Sequence, residues 1–283
     1  MKSYRIAASV IGLFVWSLGA SLQAEVIIEE TFSGYPDNSL VTVDPAGTAT
    51  GLIGNWLLTP DNNFYVNKTQ ADDNAGTGKA VYDYTSTDNG TRTPTRSTSA
   101  DHVLFEDDGD VFYASFLIDP ARAGGDMTFE LGLARLDGGG MQDFSFGIIE
   151  GQYVVGNGGS SIRVGGGTVT ADEQLVLVRV EYGEVDSGPD DSEVVTLWVE
   201  PVDESSTPVI DSSLTDILNR GGGKITAVSM RADGMNGAPA FFDNLRVGSS
   251  FAAVIPEPST LALLAMGAVA LLGCVWRRRR RYG

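Results

Sequence analysis

Two pairs of closely spaced carboxylates are the first candidates for chemistry in this chain. They are Glu106 with Asp108 and Glu184 with Asp186. Two carboxylates on one face of a strand can act as nucleophile and acid in a retaining glycosidase, where they lie about 5–5.5 Å apart. Both pairs here stand beside turn residues rather than inside a strand pattern. We therefore interpret them as solvated turn carboxylates.

Other catalytic sets are equally incomplete. His102 is the only histidine and follows Asp101, but no Gly-x-Ser-x-Gly segment supplies a nucleophile for it. A zinc site built from several histidines is excluded by the count. The acidic stretches 107–110 and 186–193 lack the spacing of an EF-hand, and no phosphate-binding loop is present. The sequence therefore predicts no catalytic residues, and we expect a protein that is not an enzyme.

The C-terminal residues form a three-part pattern of a different kind. Pro256, Glu257 and Pro258 precede an apolar run at 261–276. Because those 16 residues would span about 24 Å as a helix, they are short against a hydrocarbon core of about 30 Å. A basic cluster, which resists translocation and stops a segment in the membrane, then follows. Its members are Arg277, Arg278, Arg279, Arg280 and Arg281.

This tail resembles the PEP-CTERM sorting signal of Gram-negative bacteria. The resemblance rests on the Pro-Glu-Pro motif, the apolar run and the arginine cluster, in that order. It implies that an exosortase-like membrane enzyme processes the tail near Pro256, Glu257 and Pro258. The alternative is an ordinary C-terminal membrane anchor that happens to follow two prolines.

The N-terminus predicts a secretory signal peptide that forms a helix. Lys2 and Arg5 give a positive start, residues 6–18 are apolar, and Ala24 offers a cleavage site before Glu25. The alternative is a transmembrane anchor, which the short apolar core disfavours. Together with the stop-transfer tail, this signal implies that the secretion machinery places the residues between the two segments outside the cytoplasm.

The charge of the exported part limits its partners. Residues 25–255 contain 36 acidic and 12 basic residues, a net charge of about −24. Such a charge repels nucleic acid and anionic lipid, so we expect neither as a partner. No cysteine lies in this range, since the only one is Cys274, and no disulfide can stabilise the domain.

Period-two alternation of apolar residues predicts an all-β, antiparallel sandwich for this part. Only 212–219 has a helical pattern, and the Ser/Thr-rich segment 85–99 is predicted to be an exposed loop. The predicted strands are 26–32, 64–66, 80–84, 111–118, 128–136, 143–150, 153–155, 175–182, 194–199, 225–231 and 241–247.

Three stretches resemble concanavalin A-like, laminin G-like jelly-roll domains. They are residues 30–35 with 51–56, 175–182 paired with 194–199, and the closing strand 241–247. The resemblance implies a jelly-roll sandwich whose first and last strands lie side by side. Some glycosidases of this fold use a Glu-x-Asp-x-x-Glu pattern, which neither carboxylate pair above completes.

The same resemblance implies a structural calcium site. Glu30 and Asp243 would supply carboxylates, and the carbonyl of Gly34 would be a third ligand. Calcium prefers six to eight oxygen ligands of this kind. The alternative is that Glu30 and Asp243 are exposed strand carboxylates with no metal.

We therefore expect three parts: a signal peptide at 1–24, a β-sandwich domain at 25–250 and a sorting tail at 251–283 that includes a transmembrane helix at 261–276. The predicted protein lies at the cell envelope or outer surface or in the extracellular matrix, anchored transiently or permanently in the inner membrane. Its predicted role is structural or adhesive, with polysaccharide as a ligand and Trp56 among the candidate sugar-stacking residues. The alternative is a glycoside hydrolase or lyase on the same fold.

Processing of the tail is directly measurable. Mass spectrometry of the mature protein from the envelope fraction is expected to show a C-terminus upstream of the arginine cluster. Recovery of intact 277–283 in that fraction would contradict processing.

Overall fold

A computed structural model of the chain shows two antiparallel β-sheets and one short helix. Among the residues that the model describes, no helix is long and apolar enough to cross a membrane. Those residues are 25–32, 49–57, 64–67, 79–82, 95–103, 109–119, 128–134, 144–156, 163–170, 173–181, 192–215, 224–233 and 240–255.

Sixteen strands and helix α1 make up the described part of the chain. The strands are β1 (Val26–Glu30), β2 (Ala49–Thr50), β3 (Leu52–Leu57), β4 (Phe64–Asn67), β5 (Lys79–Tyr82), β6 (Thr95–Val103), β7 (Val111–Asp119), β8 (Thr128–Ala134), β9 (Phe144–Ile149), β10 (Gln152–Gly156), β11 (Arg163–Gly166), β12 (Gln174–Glu181), β13 (Ser192–Val199), β14 (Ile210–Thr215), β15 (Lys224–Asp233) and β16 (Ala240–Gly248). Helix α1 is Phe251–Val254.

The strand order defines a jelly-roll sandwich. Sheet A has the order β14-β13-β12-β7-β16-β1-β2, and β5 pairs with both β16 and β4. Sheet B has the order β11-β10-β9-β8-β15-β6-β3. Every pairing among the described strands is antiparallel, so the predicted all-β antiparallel jelly roll is confirmed.

The main core lies between the two sheets and follows the alternation of the strands. Phe116 of sheet A packs against Phe129 and Phe146 of sheet B, with ring centroids 5.6 and 5.2 Å away. The same layer contains Val176, Val178 and Val180, which are fully buried. Because side chains alternate between the faces of a strand, the residues between them lie on the outer faces.

The two ends of the described domain meet in sheet A. Strand β1 pairs with β16, with Glu29 opposite Arg246 and Glu30 opposite Leu245. This confirms that the first and last strands lie side by side. After β2 the chain passes into sheet B at Gly51, where an added Cβ would lie 2.1 Å from the Ile27 carbonyl oxygen. Such bends let one strand segment serve both sheets of a sandwich.

A buried ion pair joins the two sheets near these chain ends. Arg96 of β6 donates to the Glu30 carboxylate of β1, and the exposures of the two side chains are 2% and 0%. The second Glu30 oxygen accepts from the Phe32 backbone amide at 3.0 Å. Glu30 therefore lies between the sheets, next to Phe32, whose ring stacks on Trp56 at 6.2 Å.

Two local predictions need correction. The sequence predicts a loop at 85–99, but residues 95–99 belong to β6, which pairs with β15 and β3. It predicts a helix at 212–219, but residues 212–215 belong to β14 and pair with β13. In both segments, neighbouring strands pair with the backbone N–H and C=O groups, although the sequence itself has little apolar alternation. The remainders, 85–94 and 216–219, lie outside the described residues.

Removal of Arg96 is expected to destabilise the sandwich strongly. An Arg96→Met variant leaves the Glu30 carboxylate buried without its cation, which costs on the order of 3–5 kcal/mol of unfolding free energy. The double variant Glu30→Gln/Arg96→Met removes both charges and should recover most of that loss. Urea unfolding of the protein without its predicted signal peptide and sorting tail measures both values. Equal stability of the two variants would contradict a direct role for the pair.

Candidate functional site

The outer face of sheet B contains two adjacent rows in which most residues are small or polar. Core residues Phe129, Leu131 and Phe146 point between the sheets, so their strand neighbours form the opposite face. The first row runs across four strands in register and is Ser229, Gly132, Ser145 and Gly156. The second row is Arg231, Glu130, Gly147 and Val154. We call these two rows the polar face.

Glu130 is the acidic centre of the polar face. Its side chain is 1% exposed, and the Ser145 hydroxyl donates to its Oε1 at 2.9 Å. Ser145 and Ser229 are also buried, at 0% and 1% exposure. These three polar side chains are therefore buried.

Gly147 lets β8 and β9 approach closely beside Glu130. A Cβ at this position would lie 2.1 Å from the Phe129 carbonyl oxygen, so this approach requires glycine. Gly132 and Gly156 belong to the neighbouring row. The hydroxyl groups and the carboxylate therefore stand next to glycines on the central strands.

The structure describes only some of the residues that the sequence singles out. Glu106, Asp108, Glu184 and Asp186 lie outside the described residues. His102 is in β6 opposite Ile225, away from Glu130 in the register. Trp56, a candidate sugar-stacking residue, is instead a core residue with 1% exposure, packed on Phe32.

The described geometry does not fit the calcium site that the jelly-roll resemblance implies. Glu30 binds Arg96 and the Phe32 amide, while Asp243 accepts from the Asn244 amide at 2.7 Å. Both carboxylates are buried, at 0% and 3% exposure, rather than exposed on the surface. Gly34 lies outside the described residues. Among the residues that are described, no group of three or more metal-ligating side chains occurs. Calcium binding stays a prediction.

The end of the described chain packs on the outer face of sheet A. Residues Ser249–Ile255, which we call the C-terminal latch, contain helix α1 and cover Tyr113, Leu177 and Trp198. Packing thus continues past residue 250, where the sequence predicts the domain boundary.

The remaining predicted sites lie outside the described residues. They are the motif at Pro256, Glu257 and Pro258, the span 261–276, the arginines 277–281 and residue 24 of the predicted cleavage site.

A jelly-roll sandwich and a sorting tail occur together in this chain. A family profile described as a PEP-CTERM protein-sorting motif matches residues 254–281. The match confirms the predicted sorting tail. A motif of this kind implies export, a membrane-anchored tail and processing by an exosortase.

Solved structures with a similar arrangement include carbohydrate-active proteins. An endo-β-1,4-glucuronan lyase from Trichoderma reesei is 14% identical, with 73% of this chain and 96% of that chain covered at a TM-score of 0.46. The catalytic domain of a glycoside hydrolase family 131 protein from Coprinopsis cinerea is 8% identical, with 82% and 98% covered at 0.48. The cellulose-induced protein Cip1 is 12% identical, with 78% and 97% covered at 0.46. A comparison with curated proteins found no match.

Sequence reasoning missed Glu130 as a site residue because no catalytic motif surrounds it. One feature of the sequence does indicate a special role for Glu130. Glu130 stands between Phe129 and Leu131, so a carboxylate occupies the middle of an apolar alternation. A charged residue at such a position is expensive to bury unless it has a partner or a function.

Chelation provides a test of the calcium prediction. If Glu30, Asp243 and the Gly34 carbonyl bind calcium, millimolar calcium should raise the melting temperature of residues 25–255 by several degrees, and EDTA should reverse the rise. Because Glu30 already binds Arg96, a melting temperature that neither addition changes would contradict the site.

Proposed function

We propose that this chain is an exported, non-enzymatic protein of the cell envelope or extracellular matrix that binds polysaccharide on its polar face. The sorting motif at 254–281 supports the destination. The arrangement around Glu130 supports the binding role. The function would be structural or adhesive, with the sandwich as the cargo that the tail delivers.

The observation that carries this proposal is the combination of buried hydrogen-bonding groups and missing side-chain bulk. Glu130, Ser145 and Ser229 place carboxylate and hydroxyl oxygens close together on the central strands, beside Gly132 and Gly147, which carry no side chain. Sugars present many hydroxyl groups that such oxygens can bind. Ligand sites commonly place a few convergent polar groups at the base of a concave surface.

The charge of the domain favours a neutral polysaccharide. With about −24 charges in residues 25–255, the protein repels polymers rich in uronate or sulfate. We therefore expect neutral glucans, xylans or mannans to bind better than anionic chains.

The sequence supports a non-enzymatic role, because neither Glu106 with Asp108 nor Glu184 with Asp186 completes the Glu-x-Asp-x-x-Glu pattern. Hydrolysis by the usual mechanisms needs two carboxyl groups, about 5–5.5 Å apart in retaining enzymes and about 6.5–9.5 Å in inverting enzymes. Of the polar-face side chains that the structure describes, only Glu130 is a carboxylate.

A polysaccharide hydrolase or lyase is the second candidate, and one register relation favours it. Position 233 of β15 is opposite Thr128 and, by alternation, on the same face as Arg231, which is opposite Glu130. Diagonal positions on neighbouring strands are about 7–8 Å apart, which overlaps the spacing of an inverting pair. The residue at this position is Asp233, to which this alternative assigns the second carboxyl group.

A glycan array with a parallel assay of reducing-sugar release separates the two functions. The proposal predicts binding to neutral polysaccharide without turnover. Glu130→Gln should weaken that binding by about ten- to a hundred-fold, the effect of losing a charged hydrogen-bond acceptor. Glu181→Gln, on sheet A, is the matched control and should bind like the wild type.

Two results would overturn the binding role. Sugar release that is abolished by both Glu130→Gln and Asp233→Asn would establish the enzyme instead. No binding to any array polysaccharide, with a folded domain, would leave a structural component without glycan recognition.

A further inference from the structure

The C-terminal latch is placed on sheet A by a tight reversal after β16. At Gly248 an added Cβ would lie 2.7 Å from the Ala253 Cβ and 2.8 Å from the Glu25 carbonyl oxygen. The Ser249 amide donates to that same carbonyl oxygen at 3.2 Å. The chain therefore turns back sharply, and helix α1 lies against the sheet instead of leading away from it.

An apolar cluster, separate from the main core, holds the latch in place. Phe251 packs edge-on against Tyr113 and Trp198, with ring centroids 6.3 and 6.0 Å away. Ala253 and Val254 are 3% and 0% exposed. Full burial of one Val side chain alone contributes roughly a factor of ten or more to the docking equilibrium.

The platform beneath the latch is itself anchored by hydrogen bonds. The Tyr113 hydroxyl donates to Glu204 at 2.7 Å, and the Trp198 indole donates to the Ser206 carbonyl oxygen at 2.9 Å. Burial, together with the neighbouring Glu204 carboxylate, raises the pKa of Tyr113 to about 12. The hydroxyl thus remains a donor at physiological pH.

Two side chains of sheet A bind the last carbonyl oxygens of the latch. The Ser115 hydroxyl, 0% exposed, donates to the Val254 carbonyl. The Arg246 guanidinium donates to the Ile255 carbonyl at 3.0 Å and pairs with Glu29 at 2.8 Å. The backbone is therefore held up to the residue before Pro256.

The held residues overlap the sorting motif, which begins at residue 254. Six peptide steps separate Ile255 from Leu261, the start of the apolar run, and these can span at most about 22 Å. A processing enzyme that grips the peptide near Pro256 has little free chain to use. Enzymes and receptors that read a peptide as an extended strand bind its backbone N–H and C=O groups. Ser115 and Arg246 already occupy two of those carbonyl groups.

We propose that the outer face of sheet A and the tail-processing enzyme compete for residues 251–255. The partner is a membrane-embedded exosortase-like enzyme, and the latch must leave Tyr113, Ser115, Trp198 and Arg246 before that enzyme takes the peptide. The folded sandwich thereby sets the rate at which its own tail is processed. This competition depends on the sorting motif and is independent of glycan binding.

The test uses the full chain expressed in a Gram-negative host that carries an exosortase. Pulse-chase labelling measures conversion of the tailed to the processed form. Ser115→Ala and Arg246→Gln each remove one hydrogen bond to the latch, and each should speed processing by about five-fold. The double variant should give about 25-fold if the two bonds are independent. Glu150→Gln, which changes an exposed carboxylate at the turn between β9 and β10 of sheet B, should process at the wild-type rate.

Latch opening is measured separately on the unprocessed chain, purified from a host strain without the exosortase. Chymotrypsin cleavage after Phe251 requires the latch to leave the aromatic cluster, and it should accelerate in parallel with processing. Circular dichroism melting confirms that the sandwich stays folded in each variant. Faster cleavage at Phe251 with an unchanged processing rate would overturn the proposal. Slower processing in the variants would overturn it as well, because docking would then assist the enzyme.

Discussion

The pairing of the first strand with the last is the constraint on which this structure depends. Strand β1 lies beside β16, and β16 also pairs with β7 and β5. No cysteine is available in residues 25–255 to close the domain by a disulfide. Backbone pairing and core packing must therefore hold the ends together. The pairing also fixes where the sorting tail leaves the domain, because the tail follows β16 directly.

This arrangement gives each sheet a different outer face. The latch covers part of sheet A with apolar contacts and ties the tail to it. On sheet B, the polar face has hydroxyl groups, glycines and Glu130. The separation places the proposed polysaccharide binding and the proposed control of tail processing on opposite sides of the sandwich. It also explains why variants of one face are suitable controls for the other.

The strand pattern was largely predictable because most strands carry their own apolar alternation. Strand β12 is an example: its valines point into the core, and its predicted pairing with β13 is confirmed. Strand β6 lacks such a signal, since it is rich in Ser and Thr and its pairing comes from β15 and β3. The same holds for β14, where pairing with β13 overrode the helical pattern.

The site residues were less predictable because their partners are remote in the chain. The sequence predicts that Glu30 binds calcium or is exposed, yet its partner Arg96 stands 66 positions away and in the other sheet. No local pattern reveals such a contact. Trp56 likewise could stack on sugar or fill the core until its position against Phe32 was known. The sorting tail was predictable because its signal is contiguous, and the family match bears it out.

Hydrogen exchange of the full, unprocessed chain tests the central claim that the sandwich holds the start of its own sorting tail. The informative amides are those of Ala253 and Ile255, which donate to Ser250 and Phe251 within the latch. A four-residue helix in isolation is unstable, so protection must come from docking. The account predicts protection at these amides by at least about ten-fold over the free-peptide rate, falling in Arg246→Gln. Exchange at the free-peptide rate in the wild type would show that the latch is not docked and would contradict the account.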